Sequence, residues 1–245
     1  MGSSNWNKMT NWYDSMVGDE GHKYHRDYAI PTILKLLNPQ KDQLFLDAGC
    51  GQGILSPYIT RSGGKYIGFD PSDQMIRNAI ARHSNNGIFF CEKIENINNN
   101  SKVQGKFFDG ITFLFSIQDI KNIEEGFKNV SKLLKPDGKI IIFMMHPCFR
   151  IPRQSGWGED KKRKLIYRRL DRYLSAGVIP LDVKVRYKGK KITSYFYHRP
   201  LNFYFELFKK NNLFVENLIE IPEQKPGYSE FPTFLALSLK KNKVS

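Results

Sequence analysis

LDAGCGQGILSPYI, residues 46–59, sets glycines at 49, 51 and 53, an aspartate two places ahead of the first, and apolar residues behind the last. Glycine admits positive φ and leaves bare backbone, so this stretch predicts a tight strand-to-helix turn that something approaches closely. Reading outward, QLFLDAG (43–49) is a short apolar run ending in glycine, as a buried parallel strand is. GILSPYITRS (53–62) has helical spacing, KYIGFD (65–70) reads as a second strand, and Pro71 and Ser72 open a further helix. GIFFCEK (87–93), DGITFLFS (109–116) and KIIIFMMH (139–146) read as strands. Between the last two, IEEGFKNVSKLLKPDGK is a helix stopped by Pro136, with a turn at Asp137-Gly138.

This alternation over 43–146 predicts a Rossmann-like, doubly wound α/β fold with a mostly parallel seven-stranded sheet. Residues 20–37 form an expected helix kinked at Pro31. Beyond 146 the alternation breaks. Residues 147–180 are basic, aromatic and irregular, and 181–198 alternate as a hairpin around Lys188-Gly189-Lys190. A helix over 199–212 and strands over 213–221 and 231–241 complete the chain. The expected organisation is one domain over 1–245. It has an N-terminal helical lid (1–40), a cofactor-binding core (43–146), an α+β substrate-lid insertion (147–198) and a C-terminal helix with the last two strands (199–245).

Composition narrows the function classes. No run approaches eighteen apolar residues, so no membrane span is expected. The first residues, MGSSNWNKMTNWYD, lack the basic and apolar regions of a secretory signal, and Trp6 stands where a myristoylation motif wants Ser or Thr. Three widely spaced cysteines without a CxxC pair point to a reducing compartment, the cytoplasm, and to no structural metal. The net charge of +14 is localised: residues 146–200 hold 15 Lys and Arg against 4 Asp and Glu. A cationic insertion is expected to attract an anionic partner, or is simply a solvated face.

In a doubly wound sheet a ligand binds beyond the carboxyl ends of the strands, at the first strand-to-helix turn. Asp70 ends the second strand, where a carboxylate can accept from two ribose hydroxyls, so an adenosine-containing ligand is expected. The dinucleotide fingerprint is GxGxxG, whereas Gly49, Gly51 and Gly53 with Asp47 spell DxGxGxG. Here the chain resembles the class I S-adenosylmethionine-dependent methyltransferases. FDPSDQMIRNA (69–79), FDGITFLFSIQDI (108–120) and LLKPDGKIII (133–142) are similar to further motifs of that family, in order and spacing. NWYDSMVGDEGHKYHRDYAIP (11–31), MMHPCF (144–149) and the segment 197–223 look like a bacterial subgroup acting on small molecules.

The resemblance implies S-adenosylmethionine as cofactor, with the glycine turn along its methionine part and Asp70 on the ribose. It places Met75 on the adenine, Lys93 and Ile94 at the adenine edge, and Phe115 and Ser116 by the methionine moiety, with Pro71 and Asp47 also among the cofactor-binding residues. Lys93 departs from the family's acidic residue there, because a cation cannot accept the adenine amino hydrogen bond; Glu92, Glu95 or backbone are the alternatives. Tyr13 is implied at the cofactor's carboxylate end, and Tyr24, His25, Tyr197 and Arg199 on the substrate side. His146, at the end of the fifth strand, and His198 are the candidate general bases, each with the alternative of a purely structural role. A small, anionic acceptor is the first expectation. An RNA-binding or RNA-methylating protein gripping phosphates through KKRK (161–164), Arg168-Arg169 and KGKK (188–191) is the second. A third is a cofactor-binding module without turnover.

Overall fold

The computed structural model describes residues 5–187, 190–225 and 228–242. Lys188 and Gly189, at the expected hairpin tip, lie outside the described residues. Five strands alternate with helices through the first part of the chain: β1 (Leu44–Ala48), β2 (Lys65–Asp70), β3 (Ile88–Cys91), β4 (Phe108–Leu114) and β5 (Leu134–Met145). Two hairpins follow, β6 (Ser155–Asp160) with β7 (Leu165–Leu170), and β8 (Gly177–Tyr187) with β9 (Lys190–His198). β10 (Leu213–Pro222) and β11 (Pro232–Lys241) return to the main sheet, whose order is β10-β11-β5-β4-β1-β2-β3. β1 pairs parallel with β2 and with β4, while β11 runs antiparallel to both β5 and β10. The seven-stranded, mostly parallel sheet expected above is therefore present.

The strand order reverses between β1 and β4, which opens a crevice beyond their carboxyl ends. Helices cover both faces. α2 (Ile30–Leu37), α3 (Ser56–Arg61) and α4 (Asp73–His83) bury Ile33, Ile59 and Ala79 with Phe45 and Phe143 on one side. α5 (Ile123–Lys132) and α6 (Leu201–Lys210) bury Phe127 and Phe208 on the other, the Phe127 ring centroid lying 5.8 Å from that of Phe113 and 5.5 Å from that of Phe208. α1 (Asn5–Val17) lies outside these layers, packed on α4 and on the β8–β9 hairpin. No described helix is long and apolar enough to cross a membrane.

Four details depart from the sequence reading. The expected kink at Pro31 takes the form of a π-helical turn, His25–Ala29, just before it. Proline offers no N–H to the preceding turn and its ring crowds the carbonyl there, so the ladder widens. α3 starts at Ser56 rather than Gly53, because residues 49–55 are spent on the turn. Asp137-Gly138 does not end an element but bulges out of β5, whose register on β4 jumps from Phe108↔Leu134 to Gly110↔Lys139. Within 147–180, expected to be irregular, β6 and β7 form a hairpin. It is held by cross-strand contacts rather than an apolar stripe: Trp157 lies opposite Arg168, whose guanidinium sits 4.9 Å from the indole.

Candidate functional site

The glycine turn is clasped to the end of β2, since the Gly49 and Cys50 N–H groups both donate to the Phe69 carbonyl, at 2.9 and 3.0 Å. All three glycines have positive φ, but each answers to a different neighbour. A Cβ on Gly49 would stand 2.6 Å from the Ser116 Cβ, and one on Gly53 would stand 2.5 Å from the Phe89 ring. A Cβ on Gly51 would meet nothing within 4 Å. Gly49 and Gly51 line a cavity of ≈ 540 Å³ in the crevice between β1 and β4, while Gly53 packs away from it. The close approach anticipated for the three glycines is thus protein against protein at 49 and 53, and open space at 51.

Asp70 lines the same cavity. Its Oδ2 accepts the Gly51 N–H at 3.1 Å and its Oδ1 the Ser72 N–H at 2.8 Å, so it ties the turn to the start of α4. A carboxylate has about four acceptor positions, which leaves capacity directed at the cavity. Burial pushes its pKa up to about 6 against the lowering pull of those two N–H groups, and Asp47 nearby adds to the rise. Asp47 itself does not line the cavity. It sits beneath the turn, accepting from the Tyr66 hydroxyl at 2.6 Å and the Thr112 hydroxyl at 2.7 Å, and burial raises it to about 6.

Met75, Pro71, Ile94 and the Lys93 side of the wall follow from α4 and the loop after β3. Of the two glutamates considered for the adenine edge, Glu95 lines the cavity and Glu92 does not. Glu92 is spent on the Lys93 N–H at 2.9 Å and on Asn100 at 3.2 Å. Phe115 has φ 57, a left-handed conformation that a bulky residue holds only under constraint from its surroundings. Its N–H donates to the Phe143 carbonyl at 2.8 Å, and next to it the Ser116 hydroxyl donates to the Ala48 carbonyl at 2.6 Å.

The cavity is roofed by α1 and β9. Trp6 and Tyr13 come from α1, their rings edge-on at 5.6 Å, and Ser194, Tyr195 and Tyr197 come from β9. Burial, followed by the charges of Asp119 and Asp70, pushes the Tyr13 hydroxyl far above its ordinary range. α1 is latched in place: the Ser72 hydroxyl donates to Asn7 at 2.6 Å, and Arg82 pairs with Asp14 and Asp19, each at 2.6 Å. The remaining wall, Asp119 to Asn122, is held from behind by Arg199, which donates to the Ile120 and Lys121 carbonyls at 2.8 and 2.9 Å. Its guanidinium lies 5.4 Å from each of the Tyr197 and Phe203 rings. Arg199→Ala is therefore expected to destabilise the protein by about 2–4 kcal/mol, with Arg199→Lys only a partial rescue, since an ammonium lacks the planar face that lies over Tyr197 and Phe203. Chemical denaturation of the two variants reads this directly.

Several candidates stand elsewhere. His146 is buried, its Nδ1 accepting the Cys148 and Phe149 N–H groups and its Nε2 donating to Glu220 at 2.9 Å. His198 donates Nε2–H to the Tyr173 carbonyl at 2.7 Å, and burial lowers its pKa. Neither lines the cavity, so of the two alternatives for each histidine the structural one fits the geometry. Tyr24 donates to Glu223 at 3.2 Å and packs on Phe234. His25 accepts the His22 N–H at 3.1 Å, and burial, then the charges of His22 and Arg26, lowers its pKa to about 4. Tyr24, His25 and Arg199 lie behind the cavity rather than in it, and Tyr197 is inside. Among the described residues, none of the cations of 147–181 lines it; Lys161–Lys164 occupy the exposed turn between β6 and β7.

Sequence reasoning missed Trp6, Lys121, Asn122 and, above all, Asp119. Asp119 ends a 3₁₀ turn (Ile117–Asp119) directly after β4 and faces the cavity. Burial, then the charge of Asp70, raises its pKa to about 7. The signal that could have found it is an acidic residue in the loop at a switch-point strand end.

Residues 46–140 match a family described as a methyltransferase domain. The ubiquinone biosynthesis O-methyltransferase of Rickettsia bellii is 29% identical over 119 residues, covering 47% of this chain and 48% of that one. The demethylmenaquinone methyltransferase of Tropheryma whipplei is 27% identical over 113 residues, covering 44% of each. The match thus spans about half the length of these curated relatives. An S-adenosylmethionine dependent methyltransferase from Mesorhizobium loti superposes with a TM-score of 0.71 at 20% identity, covering 88% of this chain and 99% of that one, which shows the shared fold. With that fold, the DxGxGxG turn and the matched domain together, the chain carries an S-adenosylmethionine-dependent methyltransferase domain over residues 46–140.

Proposed function

We propose that the protein transfers a methyl group from S-adenosylmethionine to a small molecule held in the cavity under α1 and β9. The observation that carries this is the cavity itself. It lies at the switch point, is bounded by the open side of Gly51 and by Asp70, and at ≈ 540 Å³ has the size of a small-molecule site roofed by aromatic side chains. The named acceptors of the curated relatives, in ubiquinone and menaquinone synthesis, are also small molecules.

S-adenosylmethionine supplies a methyl already activated on a sulfonium, so the work of this chain is to bind, align and exclude water. Asp70 would accept from the ribose hydroxyls, Pro71, Met75 and Ile94 would enclose the adenine, and Lys93 or Glu95 would meet its edge. Gly49, Gly51, Phe115 and Ser116 would flank the methionine part. Tyr13 and Trp6 would close over it, with Tyr195 and Tyr197 facing the acceptor. The N-terminal segment and the β8–β9 hairpin then act as the lid. Among the described residues the charged lining is Asp70, Glu95 and Asp119 against Lys93 and Lys121, so carboxylates outnumber ammonium groups there.

Calorimetric titration with S-adenosylmethionine and with NAD tests the reading. Micromolar affinity for the former and none for the latter is expected, followed by transfer of a labelled methyl group to a member of a phenol, quinol and amine panel. Binding of NAD, or transfer to RNA alone, would sink it.

A further inference from the structure

We propose that the Asp119 carboxylate is the counter-charge for the sulfonium of S-adenosylmethionine, so that the cavity separates the charged donor from its uncharged thioether product. This rests on the methyl-donor reading above and assigns one residue within that site.

The argument starts from what surrounds Asp119. It lines the cavity just beyond Phe115 and Ser116, the segment that follows β4. Asp70 faces it from the end of β2, Tyr13 from α1, Tyr197 from β9 and Tyr204 from α6, each near enough for charge to act between them. Lys93, Glu95 and Lys121 share the cavity wall. Among the described residues none of these gives the Asp119 carboxylate a hydrogen bond or an ion pair. Both Asp70 oxygens, in contrast, are engaged by backbone N–H groups. One carboxylate is therefore anchored and available to hydroxyl donors, while the other is left without a donor in a site that also repels it.

A half-buried carboxylate facing a cavity that already holds Asp70 is costly unless a cation joins it. The ammonium of the methionine moiety can donate to backbone carbonyls, as ammonium groups do. A sulfonium has no hydrogen to donate and is met by charge alone. Asp119, with no donor of its own, complements it. Methyl transfer leaves the carbon–sulfur bonding pair on sulfur, so the product lacks this charge and loses the attraction.

Protonation follows the same logic. The free carboxyl titrates near 7 and the cation requires it ionised, so the affinity for S-adenosylmethionine rises with pH. From pH 6 to pH 8 the ionised fraction grows about tenfold. Asp70 titrates in part of this window too, but it serves the ribose common to donor and product, so it divides out of their ratio.

The experiment is calorimetric titration of the wild type and Asp119→Asn with S-adenosylmethionine and S-adenosylhomocysteine at pH 6, 7 and 8. The variant is expected to lose about 10- to 100-fold in affinity for the donor and less than about threefold for the product. The wild-type donor-to-product ratio should rise about tenfold across the range, and the variant ratio should stay flat. A second readout needs no ligand. The folded-state carboxyl sits above its ordinary 3.8, so it takes stability from the native state as pH rises from about 4 to about 7. Asn does not titrate, and the melting temperature of the free variant should therefore exceed that of the wild type at pH 8 and converge with it near pH 4. Equal losses for donor and product, or unchanged donor affinity, would overturn the assignment while leaving the methyl-donor reading intact. If the wild type binds neither ligand, that reading fails and the assignment with it.

Discussion

Asp70→Ala is expected to weaken S-adenosylmethionine binding by at least about 100-fold. Two hydrogen bonds from ribose hydroxyls to a charged carboxylate are together worth about 3–6 kcal/mol. Each 1.4 kcal/mol is tenfold. The same carboxylate holds Gly51 and Ser72 by their N–H groups, so its loss also frees the turn that the ligand must pass. Asp70→Asn separates the two contributions, because the amide keeps its shape and one acceptor oxygen but loses the charge. It should retain most of the wild-type melting temperature and still lose affinity, whereas the alanine variant should lose both. Calorimetry beside thermal denaturation distinguishes these outcomes, and wild-type affinity in Asp70→Ala would remove this residue from the site.

The second large effect separates two glycines that look alike in the chain. Gly49→Ala should leave little folded protein: its methyl would stand 2.6 Å from the Ser116 Cβ, at φ +75, against a serine already committed to the Ala48 carbonyl. Gly51→Ala meets no atom within 4 Å, and its strain is that of the left-handed backbone alone, about 1–2 kcal/mol. That variant should fold, melt slightly below the wild type, and bind S-adenosylmethionine at least about tenfold more weakly, because the methyl occupies space open to the cavity. Circular dichroism and calorimetry of the pair decide it. If Gly51→Ala bound as the wild type does, the open side of residue 51 would not face the ligand.

Much of the fold was legible because it depends on neighbours in sequence. The apolar runs at 44–48, 65–70, 108–114 and 140–145, with turn residues between them, carry the strand and helix alternation and hence the sheet. Ser72 capping α4, its hydroxyl accepting the Met75 N–H at 3.2 Å, was a local signal of the same kind. The β6–β7 hairpin was not legible, since its pairing rests on Trp157 meeting Arg168 across strands that carry no apolar alternation. Nor was the π turn before Pro31, where the proline predicts a disturbance but not its form.

The site divides along the same line. The chain by itself determined the glycine turn, the acidic residue ending β2 and the family's cofactor, because each is a short motif whose chemistry acts within a few residues. Only the tertiary structure decided which of those groups share one space. It turned His146 toward Glu220 and His198 toward Tyr173, set Gly53 against Phe89, and spent Arg199 on two carbonyls. It also brought Asp119, 49 positions beyond Asp70, within reach of the same charge. A side chain's partner and its burial come from elements far apart in the chain, and those two quantities set its charge and its direction.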